Sequence, residues 1–207
     1  METLSVYIPM DRRQAMARGE SLPDRSDGAA LMADVSGFTP LTEALARELG
    51  PQRGAEEITR YLNQVYDALI AEVDRYHGSV IGFSGDAITC WFDGDDGLRA
   101  TTCAVQLQRA MEQFSRITLP SGPTVTLAMK AAVAIGPVRR FVVGDPNVQL
   151  IDVLAGATLD RLAAAEHLAR KGEVVVSAAS AERLRQQAVI AEWRAASRCP
   201  IAAMARP

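Results

Sequence analysis

Residues 28–41 read GAALMADVSGFTPL, a short apolar run that ends at an acidic residue and a glycine-containing turn. Glycines bound the run on both sides, and its length favours a buried central strand. Asp34 then falls at the end of this strand. Thr39 is predicted as the N-cap of a following helix, with Pro40 in its first turn and the end near residue 50. The stretch therefore predicts a carboxylate beside a helix N-terminus.

A second acidic turn lies at residues 83–87, which read FSGDA. Apolar segments at 78–83 and 87–92 flank it and predict a hairpin that turns at Ser84 and Gly85, with Asp86 at its tip. Two carboxylates on adjacent strand ends, beside the free amides of a turn, suit a divalent metal ion that carries a polyphosphate.

Each of these two acidic residues also has a simpler interpretation, because an aspartate after a strand is most often a turn-former. For Asp34 the predicted helix that follows favours the metal-binding interpretation, since the backbone amides and the dipole at a helix N-terminus favour a phosphate. For Asp86, the tight hairpin between apolar strands favours a position near other strand ends. Metal-binding carboxylates and anion-binding amides are a matched pair of features.

Composition narrows the class of protein. A length of 207 residues suits one domain with extensions, or at most two small domains. A net charge of -3 and a pI near 5.5 give no electrostatic footprint for nucleic acid or an anionic membrane. The apolar runs are too short to span a bilayer, and no signal peptide is recognised. Cys90, Cys103 and Cys199 are expected to be buried reduced thiols in a cytoplasmic protein.

The remaining chain predicts an alternation of helices and strands. The predicted order is strand, helix, two strands, helix, two strands, helix, strand, which indicates an α+β sheet with its helices on one face. Residues 125–135 are predicted to form a strand that breaks at Gly136-Pro137, and residues 138–143 to return as its hairpin partner. Arg139 and Arg140 are interpreted as a solvated strand edge, with a role beside a phosphate site as the alternative.

Three motifs in sequence order resemble the class III nucleotidyl cyclase catalytic domain. They are ADVSGFTPL at 33–41, FSGDA at 83–87 and FVVGD at 141–145, and the resemblance extends over residues 29–184. Within that family the chain most resembles the metal-donating half of soluble, bicarbonate-responsive-type adenylyl cyclases and their bacterial relatives. The resemblance implies a ferredoxin-like βαββαβ core with extra strands and helices. It also divides the chain into an arm or linker (1–28), the catalytic domain (29–185) and a C-terminal extension (186–207).

The resemblance further implies a site at the interface of two such domains, paired head to tail as a homodimer or heterodimer. Asp34, Asp86 and the carbonyl of Val35 would bind two divalent cations, Mg²⁺ or Mn²⁺. The residues implied in binding the nucleotide and its phosphates are Ser36, Gly37, Phe38, Thr39, Gly85 and Asp152. Asp152 lies near the position of an adenine-reading aspartate, about one residue out of register.

The chain departs from the family pattern where the partner half of the site would be built. Gly82 stands where a base-recognising lysine is usual, and alignment on Gly156 puts Asp160 and Ala164 where asparagine and arginine are usual. Asp160 cannot donate a hydrogen bond as asparagine does, and Ala164 carries no charge. We therefore expect the metal-binding half of a site, which a complementary domain completes.

The implied activity is conversion of ATP to 3′,5′-cyclic AMP and pyrophosphate by two-metal catalysis, with neither nucleic acid nor membrane as a partner. The alternative is a pseudo-cyclase, a regulatory domain that binds nucleotide or metal and dimerises without turnover. The hypothesis of a different enzyme on a ferredoxin-like core, such as a diguanylate cyclase or a polymerase palm, has weaker support. The Gly-Gly-Asp/Glu-Glu-Phe signature of diguanylate cyclases is absent from the sequence.

Overall fold

The computed structural model describes residues 8–145, 148–187, 189–195 and 200–204. The predictions for residues 1–7, Cys199 and 205–207 lie outside these ranges. The described helices are α1 Met10–Ala17, α2 Phe38–Leu49, α3 Pro51–Arg75, α4 Leu98–Met111, α5 Ala157–Leu168 and α6 Ala178–Arg183. The described strands are β1 Arg25–Ser36, β2 Ser79–Ser84, β3 Ala87–Asp93, β4 Ile117–Thr118, β5 Thr124–Val125, β6 Ala128–Asp145, β7 Gln149–Ala155, β8 Val174–Ser177, β9 Ile190–Ala195 and β10 Pro200–Met204.

One mixed sheet forms the centre of the fold. Its strand order is β2-β3-β1-β6-β8-β10-β9, and β7 pairs with the far part of β6. Strands β6 and β8 are parallel, whereas β1 is antiparallel to both of its neighbours. The order β2-β3-β1-β6 is that of a ferredoxin-like βαββαβ unit, to which the later strands add an edge. The predicted α+β class is therefore confirmed.

Strand β1 is apolar on both faces, so both faces of the sheet are covered. Ala29 and Leu31 lie in the larger core, which β1 shares with α2, α3 and α4. Ala30 points the other way and packs with Leu162 and Ala165 of α5. The prediction of helices on one face is therefore wrong, because successive residues of a strand alternate between faces and here both sets are buried.

The predicted break at Gly136-Pro137 is also wrong. Strand β6 continues through both residues, and its pairing with β1 places Gly136 opposite Gly28 and Pro137 opposite Asp27. Gly136 has a φ of 141°, a backbone conformation that favours glycine. Residues 138–143 are therefore the far part of β6 itself and not the hairpin partner of its first part, and this far part pairs with β7. Long-range pairing overrides the local tendency of a glycine-proline pair to end a strand.

The structure also bears on the predictions about the cysteines and about membrane-spanning segments. Cys90 and Cys103 are buried free thiols, as predicted. Burial raises the pKa of the Cys103 thiol to about 12, so this thiol is unreactive at neutral pH. In the described ranges no helix combines the length and the apolar character needed to cross a membrane.

The proposed domain boundaries remain a prediction. Strand β1 begins at Arg25, and β10 pairs with β8 inside the main sheet. Ile201 and Ala202 of β10 are fully buried.

Candidate active site

The two acidic residues singled out from the sequence lie beside the ends of neighbouring strands, with Asp34 on β1 and Asp86 in the turn that precedes β3. Asp34, near the end of β1, is directly opposite Ala87 of β3. The backbone amide of Val35 donates a hydrogen bond to the carbonyl oxygen of Asp86, at 3.1 Å. The Asp34 side chain is 29% exposed and Asp86 is exposed, so both carboxylates are accessible to solvent. Within the described ranges no group of three or more His, Cys, Asp and Glu side chains is arranged to hold a metal ion.

The hairpin that carries Asp86 has the geometry of a tight two-residue turn. Ser84 pairs with Ala87, so Gly85 and Asp86 form the turn, one residue later than predicted. Gly85 has a φ of 60°, and Asp86 has no positive φ. Positive φ at the first turn residue alone is the type II′ pattern, which matches the twist of the flanking strands. The hairpin therefore holds the backbone of Asp86 beside the end of β1.

The turn after Asp34 begins α2 earlier than the sequence indicated. The N-cap is Gly37, with a φ of 110°, and the helix starts at Phe38, so the prediction of Thr39 as N-cap is wrong. Gly37 is required because a Cβ there would lie 2.4 Å from the carbonyl oxygen of Thr126. Among the described residues no side chain caps this helix end, and the first amides of a helix have no partner within it. The amides beside Asp34 can therefore bind an anion.

Because of this close approach, a substitution of Gly37 should destabilise the fold. Gly37→Ala adds the cost of a left-handed residue, about 1–2 kcal/mol, and a backbone clash of a further ~1–3 kcal/mol. Gly94→Ala is the matched control, because Gly94 also has a positive φ but has open space around it. Urea unfolding should show the larger loss of stability for Gly37→Ala. Equal losses for the two variants would contradict the clash.

Tyr66 of α3 contacts one aromatic residue beside each of the two turns. Its ring stacks on Phe38 at a centroid distance of 6.3 Å and meets Phe83 edge-on at 5.4 Å. Burial, followed by the negative charges of Asp86 and Asp34, raises the pKa of Tyr66. The Tyr66 ring therefore packs against Phe38 and Phe83, and its hydroxyl group experiences the negative charge of both Asp34 and Asp86.

Lys130 contacts Asp34, and no pattern in the sequence indicates this contact. It lies directly opposite Asp34 in the pairing of β1 with β6, and its Nζ is 3.4 Å from Asp34 Oδ2. The same Nζ is 2.6 Å from Oε1 of Glu166 on α5. The hydrogen bond with Glu166, with help from the charge of Asp34, raises the pKa of Lys130. Lys130 therefore brings a fixed positive charge beside Asp34, and a lone lysine in a strand gives no local signal of this.

Asp152 does not have the open environment of a base-reading residue. Its side chain is 2% exposed and forms two parallel hydrogen bonds with Arg140, at 2.9 and 3.0 Å. Arg12 of α1 donates to the same carboxylate. Burial alone would raise the pKa of Asp152, but the hydrogen bonds from Arg140 and Arg12 outweigh it and lower that pKa. Both carboxylate oxygens are therefore engaged within the chain.

Arg140 is the centre of this ion cluster, and not a residue of a solvated strand edge. Its side chain is 3% exposed, and it also donates to Asp11 of α1, with Nη2 at 3.0 Å from Oδ1. The adjacent Arg139 is exposed, as the sequence analysis expected for both residues. The backbone amide of Asp11 donates to Ser79 of β2 at 2.9 Å. These contacts attach α1 to β2, β6 and β7, and α1 covers the position at which Asp152 was expected to bind a nucleotide base.

The other positions that depart from the family pattern lie as follows. Gly82 is on β2, with open space where a side chain would be. Gly156 is the N-cap of α5, Asp160 is exposed in the first turn of that helix, and Ala164 is half-buried one turn later. Gly82, Asp160 and Ala164 therefore offer no side-chain hydrogen-bond donor to a nucleotide.

Known proteins resemble the chain in both sequence and fold. No protein-family model matches it. Over 155 residues, 74% of the chain, it is 26% identical to adenylate cyclase type 10 of Oryctolagus cuniculus, and this match covers 10% of that protein. The chain thus corresponds to about a tenth of the length of the curated relatives that it matches.

Solved structures with the same fold include cyclases of two specificities. The adenylyl cyclase CyaB from P. aeruginosa superposes with a TM-score of 0.70 at 18% identity, covering 87% of this chain and 94% of that one. A dimeric guanylyl cyclase domain from the fungus Blastocladiella emersonii gives a TM-score of 0.68 at 15% identity, covering 88% and 97%. In sequence, therefore, the chain is similar to adenylate cyclase type 10, and in fold it is similar to solved adenylyl and guanylyl cyclase domains.

Proposed function

We propose that this chain is the metal-binding half of an adenylyl cyclase active site and that it acts with a complementary cyclase domain. The observation that carries the proposal is the grouping of Asp34, Asp86 and Lys130 around the uncapped N-terminus of α2. Two carboxylates, one ammonium group and free amides match a substrate that is a metal-bound polyphosphate. Homology to adenylate cyclase type 10 supports ATP as the nucleotide.

The residues present fit divalent cations of the hard type. Asp34 and Asp86 offer oxygen donors only, which is the donor set of Mg²⁺ and Mn²⁺, and the phosphates of a nucleotide would supply further oxygens. Asp34 also lies 3.4 Å from the ammonium of Lys130, whose nearer partner is Glu166. Val35 is proposed as a further ligand through its carbonyl oxygen. Two bound cations would supply charge neutralisation and a lowered pKa of the ribose 3′-hydroxyl.

The chain's own residues would position the triphosphate. We propose that the backbone from Ser36 to Thr39, with Gly85, forms the phosphate-binding surface, since an uncapped helix N-terminus attracts anions. Lys130 would add a positive charge beside the leaving pyrophosphate. In the reaction the ribose 3′-oxygen bonds to the α-phosphorus as the bond to pyrophosphate breaks, and the hydroxyl proton leaves to water. Catalysis by this half is thus positioning and charge neutralisation.

A second function, that of a regulatory pseudo-cyclase, is favoured by one observation. The base-reading position is closed, because Asp152 is held by Arg140 and covered by Arg12 of α1. Gly82 and Ala164 also lack the groups that would read a base or stabilise transition-state charge. Two copies of this chain would therefore bring two metal-binding halves and no base-reading half.

Product formation separates these functions. The purified chain, alone and mixed with a cyclase domain that carries the missing lysine, asparagine and arginine, is incubated with Mn²⁺ and either ATP or GTP. Mass spectrometry should detect cyclic AMP from the mixture and none from the same mixture containing Asp34→Ala. Cyclic GMP instead would overturn the choice of ATP. No product from a mixture that still binds Mn²⁺ and nucleotide would support the regulatory function.

A further inference from the structure

Glu166 is a charged residue that the proposed chemistry does not use and that nevertheless contacts the site. Its side chain is 14% exposed, and its Oε1 lies 2.6 Å from the Nζ of Lys130. The other oxygen, Oε2, is 3.2 Å from the ring of His167, which is 84% exposed. The hydrogen bond from Lys130 to Glu166 is shorter than the 3.4 Å separation of Lys130 from Asp34. One ammonium group is therefore shared unequally between two carboxylates.

The packing of α5 on the sheet fixes this arrangement. Leu162 and Ala165 of α5 are fully buried against the face that carries Ala30 and Ala132. Glu166 follows Ala165 directly, so its backbone is set by the helix–sheet contact. Lys130 is likewise fixed by its pairing opposite Asp34 in β6. Neither backbone can move without disturbing the smaller core, so the reach of the two side chains decides which carboxylate holds the ammonium.

A lysine this close to Asp34 has opposite effects on the proposed site. Its charge favours a triphosphate, but a direct ion pair with Asp34 would compete with a divalent cation for the same carboxylate. We propose that Glu166 is a positioning residue, which holds the ammonium of Lys130 away from Asp34 so that Asp34 stays available to a cation. This inference rests on the proposed function of Asp34 as a metal ligand. It assigns Glu166 a role through Lys130, and no contact with substrate.

Glu166→Asp tests the reach of the side chain without changing its charge. The shorter carboxylate cannot meet Lys130 at the present distance, so the ammonium turns to Asp34. The affinity of the purified chain for Mn²⁺ alone, measured from the loss of the free-ion signal in electron paramagnetic resonance, should fall about tenfold. If negative charge near the site were all that mattered, Glu166→Asp would bind Mn²⁺ as the wild type does, and the proposal would be overturned.

Lys130→Met provides the matched background, because methionine fills similar space and carries no charge. In that background Glu166 has no ammonium to hold, so Glu166→Asp should leave the Mn²⁺ affinity unchanged to within about twofold. A tenfold loss in both backgrounds would show that Glu166 acts without Lys130, which overturns the proposal. Glu166→Gln is the second variant in the wild-type background, and its loss of Mn²⁺ affinity should be at least as large.

The failure of this inference can be told apart from the failure of the proposed function. Asp34→Ala is measured beside the Glu166 variants. If Asp34→Ala binds Mn²⁺ as the wild type does, Asp34 is no metal ligand and both proposals fall. If Asp34→Ala loses Mn²⁺ while Glu166→Asp keeps it, the metal site stands and only the role of Glu166 is overturned. Thermal unfolding of each variant confirms that the fold is retained.

Discussion

Asp34→Ala should reduce Mn²⁺-dependent ATP binding by about 100-fold or more, the largest functional effect expected for a single substitution in this chain. The physical reason is the loss of one of the two carboxylates proposed to hold the cations that carry the triphosphate. The fold should survive, because Lys130 keeps Glu166 as an ion-pair partner when Asp34 is removed. Titration calorimetry with a non-hydrolysable ATP analogue, with and without Mn²⁺, measures the effect.

The control for this prediction is Asp67→Ala. Asp67 is an exposed carboxylate of α3, and its removal changes the net charge by the same amount. Its Mn²⁺-dependent affinity should match that of the wild type. An unchanged affinity in Asp34→Ala would remove the metal assignment, and with it the main support for a catalytic rather than a regulatory role.

Arg140→Ala should lower the free energy of unfolding by about 3–5 kcal/mol, because it leaves the buried carboxylate of Asp152 with Arg12 as its remaining cationic partner among the described residues. The substitution also releases Asp11, and so weakens the attachment of α1. Arg139→Ala is the matched control: the same change at the adjacent, exposed residue should alter stability by no more than about 0.5 kcal/mol. Urea unfolding at neutral pH measures both.

The difference in free energy of unfolding between wild type and Arg140→Ala should depend on pH, which tests whether the charge of Asp152 causes it. In the wild type the pKa of Asp152 lies below its ordinary value of 3.8. The stabilisation by charged Asp152 is therefore present above pH 3.8 and disappears as the pH falls through the lowered folded-state pKa. The gap between wild type and Arg140→Ala should narrow in acid, where Asp152 becomes neutral. A gap that stays constant down to the lowest pH would point to lost packing of the Arg140 side chain instead.

Several parts of the fold could be predicted because their causes are local. The apolar run of β1 and the glycine turns each depend on neighbouring residues, and the α+β class follows from the order of the predicted elements. The Asp86 hairpin was predicted for the same reason, since Gly85 supplies the positive φ that a tight turn needs. The positions of Asp34 and Asp86 at adjacent strand ends followed from these elements.

Other features could not be predicted because their causes lie far away in the chain. Gly136-Pro137 looks like a break, yet pairing with Gly28 and Asp27 carries β6 through it. Arg140 looks like a surface residue, yet Asp11 and Asp152 bury it from two distant segments. Exposure and charge pairing at such positions are set by tertiary contacts, which no local pattern records.

The family resemblance, the fold class and the prediction of Asp34 and Asp86 as paired carboxylates all follow from the sequence, because each depends on short runs of residues whose geometry is local. The contacts of Lys130 with Asp34 and Glu166 arise only on folding, since they depend on strand register and on the packing of α5. The same is true of the contact between α1 and Asp152, since a charge 140 positions away along the chain pairs with Asp152 only in the folded chain.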